Sequence, residues 1–210
     1  MGNPLLFDPY GYSQGFEEWI EVGRIPGGLF RTGSTLEHAL ERTGDLINAA
    51  IVEALSERPS DQFFLFAHYL DVHDWPSKNQ AYIHGVEVFD AYLGELLNYL
   101  DDENLLEGTA IVLTSDHGEA LGEKHVQDSL GLHFGNPSYE PVLRVPLIVY
   151  PARFANPDIP IRGQDIKSLV LSLSQPQSHT TEKVTLETDS ELFISELKFQ
   201  TLQIGRWKSF

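Results

Sequence analysis

The side chains best equipped for chemistry fall in two short clusters. The first is Asp71, His73 and Asp74 in "HYLDVHDW"; the second is Asp116-His117, followed by Gly118 and Glu119, in "LTSDHGEALGEKH". Carboxylate and neutral imidazole are hard-to-borderline ligands that suit Ca²⁺, Mg²⁺, Mn²⁺ or Zn²⁺. Gly118 would let the backbone approach a bound group, and Glu119 could orient a ligand from outside the coordination sphere. Plainer readings stand beside this one. An Asp that follows a strand often caps a helix, which is open to Asp71, Asp74 and Asp116. His73 alone could be a hydrogen-bonded loop histidine. His125 and His133 lie in a Gly-rich loop, where solvation is the simplest account. Lys124 and Arg144 are either ordinary surface charges or the local positive charge that an anion would need in so acidic a chain.

The elements that must position these clusters read as an α/β chain. "FFLFAHYL", 63–70, and "TAIVLTS", 109–115, are short apolar runs of buried-strand type. Between them Tyr82, Val86, Phe89, Leu93, Leu96 and Leu100 recur at steps of three and four, predicting a long amphipathic helix. Strand, helix, strand is a βαβ unit, so the two strands are expected to be parallel neighbours. Ligands of such sheets bind beyond the carboxyl ends of the strands, where both clusters would then lie. "STLE" at 34–37 is a capping-box pattern opening an earlier helix through Leu36, Leu40, Ile47, Ile51 and Leu55, closed by Arg58-Pro59. "VPLIVYP", 145–151, predicts a third strand, and 164–173 a helix. The expected architecture is a mostly parallel central sheet flanked by helices over residues 1–173, with 1–31 a loop-rich lead-in. A polar linker at 174–190 and a small strand region at 191–210 follow.

The 31 Asp and Glu outweigh 14 Lys and Arg, for a net charge of −17. That field repels nucleic acid and anionic membrane, so neither is expected as a partner. Six of the fourteen cations are Lys. So acidic and Lys-poor a surface suits concentrated salt, where the Debye length falls to about 3 Å and self-repulsion is screened. The absence of Cys excludes a disulfide, a thiolate ligand or a Cys nucleophile within these residues. No apolar run reaches the roughly 18 residues of a membrane span, and "MGNPLLFDPYGYS" lacks a signal-peptide pattern. If Met1 is the true start, a cytoplasmic location is expected.

"TAIVLTSDHGEALGEKH" followed by "LHFGNPSYEPVLRVPLIVYP" resembles the sulfatase family of the alkaline phosphatase superfamily. Its members carry a strand ending in Ser-Asp-His-Gly-Glu or Ser-Asp-Asn-Gly, then Tyr-Glu, then Arg-Val-Pro-Leu-Ile-Val. "FFLFAHYLDVHDWP" resembles the family's earlier strand, "YGYSQGFEEW" its Gly-Phe segment and "LQIGRWKSF" its closing strand. The resemblance implies an alkaline-phosphatase-like fold and metal-assisted hydrolysis of a sulfate ester, with a small anionic ester as substrate. It implies Asp116 and His117 as metal ligands, and His73 and His133 as side chains touching the anion. The implied metal is Ca²⁺ first, with Mn²⁺, Mg²⁺ or Zn²⁺ as alternatives. The family's nucleophile motif, Cys/Ser-x-Pro-x-Arg, has no match: Ser174-Gln175-Pro176 is followed by Ser178 where Arg would stand. The chain therefore resembles the carboxyl-terminal portion of a sulfatase, expected to be inactive alone. A phosphoester or phosphonate hydrolase, a phosphotransferase and a non-catalytic remnant are the competing expectations.

Overall fold

The computed structural model describes residues 11–22, 43–57, 62–73, 82–121, 132–133, 139–151, 161–174, 191–195 and 200–204. The Ser34–Glu37 capping pattern, Asp74, Lys124 and His125 lie outside them, as do most of the 1–31 lead-in and of the 174–190 linker. The chain divides into two units, Met1–Gly108 and Thr109–Phe210.

In the first unit, Thr43, Ile47, Ile51 and Leu55 recur every four residues and form the buried stripe of helix α1, Thr43–Ser56. A stripe of this spacing lies on one face. Each buried Ile or Leu side chain contributes about 1.5–3 kcal/mol. The helix ends before Arg58-Pro59, as the backbone restriction ahead of a proline requires. It packs on α2, Tyr82–Asp102, the long helix read from its apolar steps. Asn48 of α1 joins three pieces of chain. Its Nδ2 donates to the Tyr92 carbonyl of α2 at 2.9 Å, and its Oδ1 accepts the Tyr69 hydroxyl at 2.7 Å. Tyr69 also meets Phe89 edge to face, ring centroids 5.3 Å apart. Burial, helped by the Asp71 carboxylate, pushes the Tyr69 phenol well above its usual range, so it donates this bond as a neutral hydroxyl.

At its carboxyl end α2 is closed by Asn104, whose φ of 59° takes the left-handed conformation that Asn tolerates. The amides of Leu105 and Leu106 fold back to the Leu100 carbonyl at 2.7 and 3.0 Å. Glu87, Asp90, Glu95, Asp101, Asp102, Glu103 and Glu107 all stand exposed on this helix and its closing turn, and no Lys or Arg occurs between residues 82 and 121.

The stretch expected as the first strand differs. Residues 62–70 enter no helix and no strand ladder among the described residues, and Phe63–Phe66 are exposed, Phe64 by 63 %. An apolar run specifies burial on two faces but not a hydrogen-bonding partner, and a strand exists only through its partner. The expected parallel pairing of 63–70 with 109–115 is thus not among the ladders seen.

The second unit opens with β1, Ile111–Thr114, which pairs antiparallel with β4, Leu147–Tyr150, in the register Ile111↔Tyr150 to Thr114↔Leu147. Pro146 and Pro151 bound β4, where a missing amide ends a ladder. Between them lie a two-residue ladder of β2, Ala120–Leu121, with β3, Leu132–His133, and a single helical turn, α3, Glu140–Leu143. Further on, a 3₁₀ turn at Gly163–Asp165 leads into α4, Ile166–Leu173, whose Leu169 and Leu173 are buried one turn apart. Arg162 grips Asp165 as a fork: Nε and Nη2 each donate to a carboxylate oxygen at 3.0 Å, and the Arg162 amide adds a third 3.0 Å bond. Strands β5, Glu191–Ser195, and β6, Gln200–Ile204, pair antiparallel.

Candidate active site

β1 ends where its apolar residues end, and Ser115-Asp116-His117-Gly118 turns the chain out of the ladder. The turn is tied by its own side chains. The Ser115 hydroxyl donates to the His117 carbonyl at 2.7 Å and reaches Asp116 Oδ1 at 3.3 Å, while the His117 amide donates to the same Oδ1 at 2.9 Å. Asp116 is exposed and His117 half-buried. His117 Nδ1 lies 2.6 Å from the Gly118 carbonyl oxygen. A carbonyl only accepts, so Nδ1 carries the proton and the neutral ring keeps its lone pair on Nε2. An imidazole arranged so is oriented as metal-ligating histidines are.

Gly118 has a sharper role than expected. Its amide donates to the Val142 carbonyl of α3 at 2.6 Å. A Cβ here would collide with the Pro141 carbonyl oxygen and sit 2.8 Å from that of Arg144. What the missing side chain admits in this structure is the backbone of residues 141–144. Sequence reading missed Ser115, Pro141 and Val142 as the scaffold of the turn; only the Pro at the start of α3 was a local signal. Arg144, noted as a possible anion contact, lies on the surface 3.4 Å from Glu140.

The other expected site residues fall as follows. In the β2–β3 ladder His133 stands opposite Ala120, two residues after Gly118. The backbone therefore brings residues 116–120 and 133 into one part of the second unit. His73 belongs to the first unit. It is exposed at the end of a turn, Asp71–His73, whose Asp71 is only 4 % exposed.

Among the described residues no three His, Cys, Asp or Glu side chains gather as a metal site. Asp116 and His117 fit a divalent ion in donor chemistry, one carboxylate and one imidazole of the right tautomer, but a divalent ion takes at least four ligands. Among the described residues no helix is long and apolar enough to cross a membrane.

Comparison with known proteins agrees with the motifs. The Sulfatase family model matches residues 41–157. Iduronate 2-sulfatase from Mus musculus is 38 % identical over 88 residues, 41 % of this chain and 14 % of that protein. A sulfatase from Formosa agariphila is 35 % identical over 101 residues, 48 % of this chain and 18 % of its own length. Choline-sulfatase from Rhizobium meliloti is 36 % identical over 70 residues, 33 % of this chain and 12 % of its own. The chain thus spans less than a fifth of the length of these relatives. No solved structure matches. A family model that takes in both acid–imidazole clusters and more than half of the residues places this chain in the sulfatase family.

Proposed function

We propose that these residues form part of the active site of a sulfate ester hydrolase: Asp116 and His117 hold a divalent metal ion, and His73 and His133 contact the sulfate group. The observation that carries the reading is the Ser115–Gly118 turn. It sets an exposed carboxylate beside an imidazole whose Nδ1 faces a backbone carbonyl, the orientation typical of a metal-ligating histidine. When bound, the ion supplies charge stabilisation to the ester's oxygens. This chain's own residues do the rest. Asp116 contributes negative charge and a fixed oxygen, and the Gly118 carbonyl holds the His117 ring in one tautomer. His73 and His133 donate hydrogen bonds to the anion, one of them passing a proton to the leaving oxygen. Ca²⁺ is our first choice of ion, as the family resemblance implies, with Mn²⁺, Mg²⁺ or Zn²⁺ as alternatives. With no Cys/Ser-x-Pro-x-Arg among them, these 210 residues supply no nucleophile of the family's kind, so turnover is proposed for the intact gene product.

The test is hydrolysis of an aryl sulfate by that product with Ca²⁺ or Mn²⁺ present. Turnover that drops at least about 100-fold in Asp116→Ala and His117→Ala is the expected result. Turnover of an aryl phosphate but not of the sulfate would move the site to the phosphoester branch. Failure of both esters, with no micromolar metal binding by calorimetry, would leave a non-catalytic remnant.

A further inference from the structure

The turn that carries His73 is held by more than its own residues. Asp71 Oδ1 lies 3.4 Å from the amide of Gly44, in the first turn of α1 and 27 residues earlier in the chain. The opening amides of a helix have no partner within it, and a carboxylate is favoured at that positive end. From the other side, the Asp71 backbone meets α2: a Cβ on Gly85 would stand 3.1 Å from the Asp71 carbonyl oxygen and 3.3 Å from Val72 Cα. Leu70 and Asp71 are both buried, whereas His73, two residues on, is exposed. The chain is therefore anchored by one residue and presents another.

We propose that Asp71 is a positioning residue, whose buried carboxylate at the start of α1 and backbone against Gly85 of α2 set the turn that presents His73 to the substrate anion. The proposal rests on the reading of His73 as an anion contact. Its physical content is a division of labour. A capping Asp close in sequence would satisfy the same amide of α1 but would fix nothing else. An Asp drawn from the turn joins the start of one helix to the side of another and leaves the residue beyond with few conformations to lose on binding.

The experiment is a double-mutant cycle on the intact gene product, read as kcat/KM for an aryl sulfate together with amide hydrogen exchange. Asp71→Ala is expected to lower kcat/KM by about 30-fold, a misplacement effect, and Asp71→Asn, which keeps an acceptor for the Gly44 amide, to recover most of it. In a His73→Ala background Asp71→Ala should cost less than about 3-fold, because the group it positions is gone. Gly85→Ala presses the same turn from the α2 side and replaces Asp71→Ala if the latter does not fold. A loss of equal size with and without His73 would overturn the proposal, leaving Asp71 a purely structural cap. If His73→Ala itself leaves turnover unchanged, it is the anion-contact reading that fails. Positioning is then judged by exchange alone: a rise of about tenfold or more at the Val72 and His73 amides in Asp71→Ala supports it, and unchanged exchange there refutes it.

Discussion

His117 Nδ1 sits 2.6 Å from the Gly118 carbonyl oxygen, and of that pair only the nitrogen can supply the proton. The tautomer of the proposed ligand is therefore set before any metal arrives. Nitrogen-15 spectra of the imidazole should show Nδ1 protonated and Nε2 bare in the neutral ring. Titration with a divalent ion should move the Nε2 resonance much further than the Nδ1 one. The opposite pattern would remove His117 Nε2 from the proposed coordination.

Two glycines give a paired test of close approach. Gly118→Ala drives a methyl group into backbone oxygens that cannot swing aside as a side chain would. It should destabilise the protein by about 3 kcal/mol, the upper range for overpacking. Gly94, within α2, has nothing within 4 Å of its would-be Cβ. Gly94→Ala should be neutral or stabilise by up to about 1 kcal/mol through helix propensity. Urea midpoints of the two variants decide the matter.

The Arg162 fork should make part of the stability pH-dependent. Hydrogen bonds from the Arg162 side chain, opposed in part by burial, hold the Asp165 carboxyl below its ordinary value of 3.8. A depressed folded-state value stabilises the fold above the ordinary value and is lost as pH falls through the lowered one. Asp165→Ala should therefore cost about 1–2 kcal/mol at neutral pH. The gap between variant and parent should close as the pH drops below the ordinary value, which acid denaturation curves of both would reveal.

Charge along α2 predicts a response to salt. Asp101 and Asp102 occupy the last turn, at the negative end of the helix dipole, with no basic residue there. Melting temperature should rise between low and molar KCl. Asp102→Lys should stabilise by about 0.5 kcal/mol at low salt and by less in molar KCl, where screening has already relieved the end. A melting temperature independent of salt would show that the net charge of −17 is not an adaptation to brine.

Much of the local structure was legible because its signals are local. The three- and four-residue steps from Tyr82 to Leu100 lie in α2, the prolines at 146 and 151 bracket β4, and the Ile47–Leu55 stripe lies in α1. Pairing was not legible. An apolar run records how much water a strand avoids, so "FFLFAHYL" and "TAIVLTS" looked alike, yet among the described residues only the second finds a ladder, antiparallel to β4. In the site, Asp116, His117 and Gly118 stood out as residue types. What gives Gly118 its constraint is the backbone of residues 141–144, more than twenty positions away, and Asp71 meets Gly44 at longer range still. Contacts of that reach leave no periodic trace in the chain.

The stretch without a Lys or Arg has a practical corollary. Trypsin, which cuts only after those residues, finds no bond to attack between Lys78 and Lys124 even in the denatured chain. One peptide, Asn79 to Lys124, thus carries the whole of α2, β1 and the Ser115–Gly118 turn. Mass spectrometry of that single fragment would report any adduct, oxidation or retained ion on Asp116 and His117, whatever becomes of the rest of the molecule.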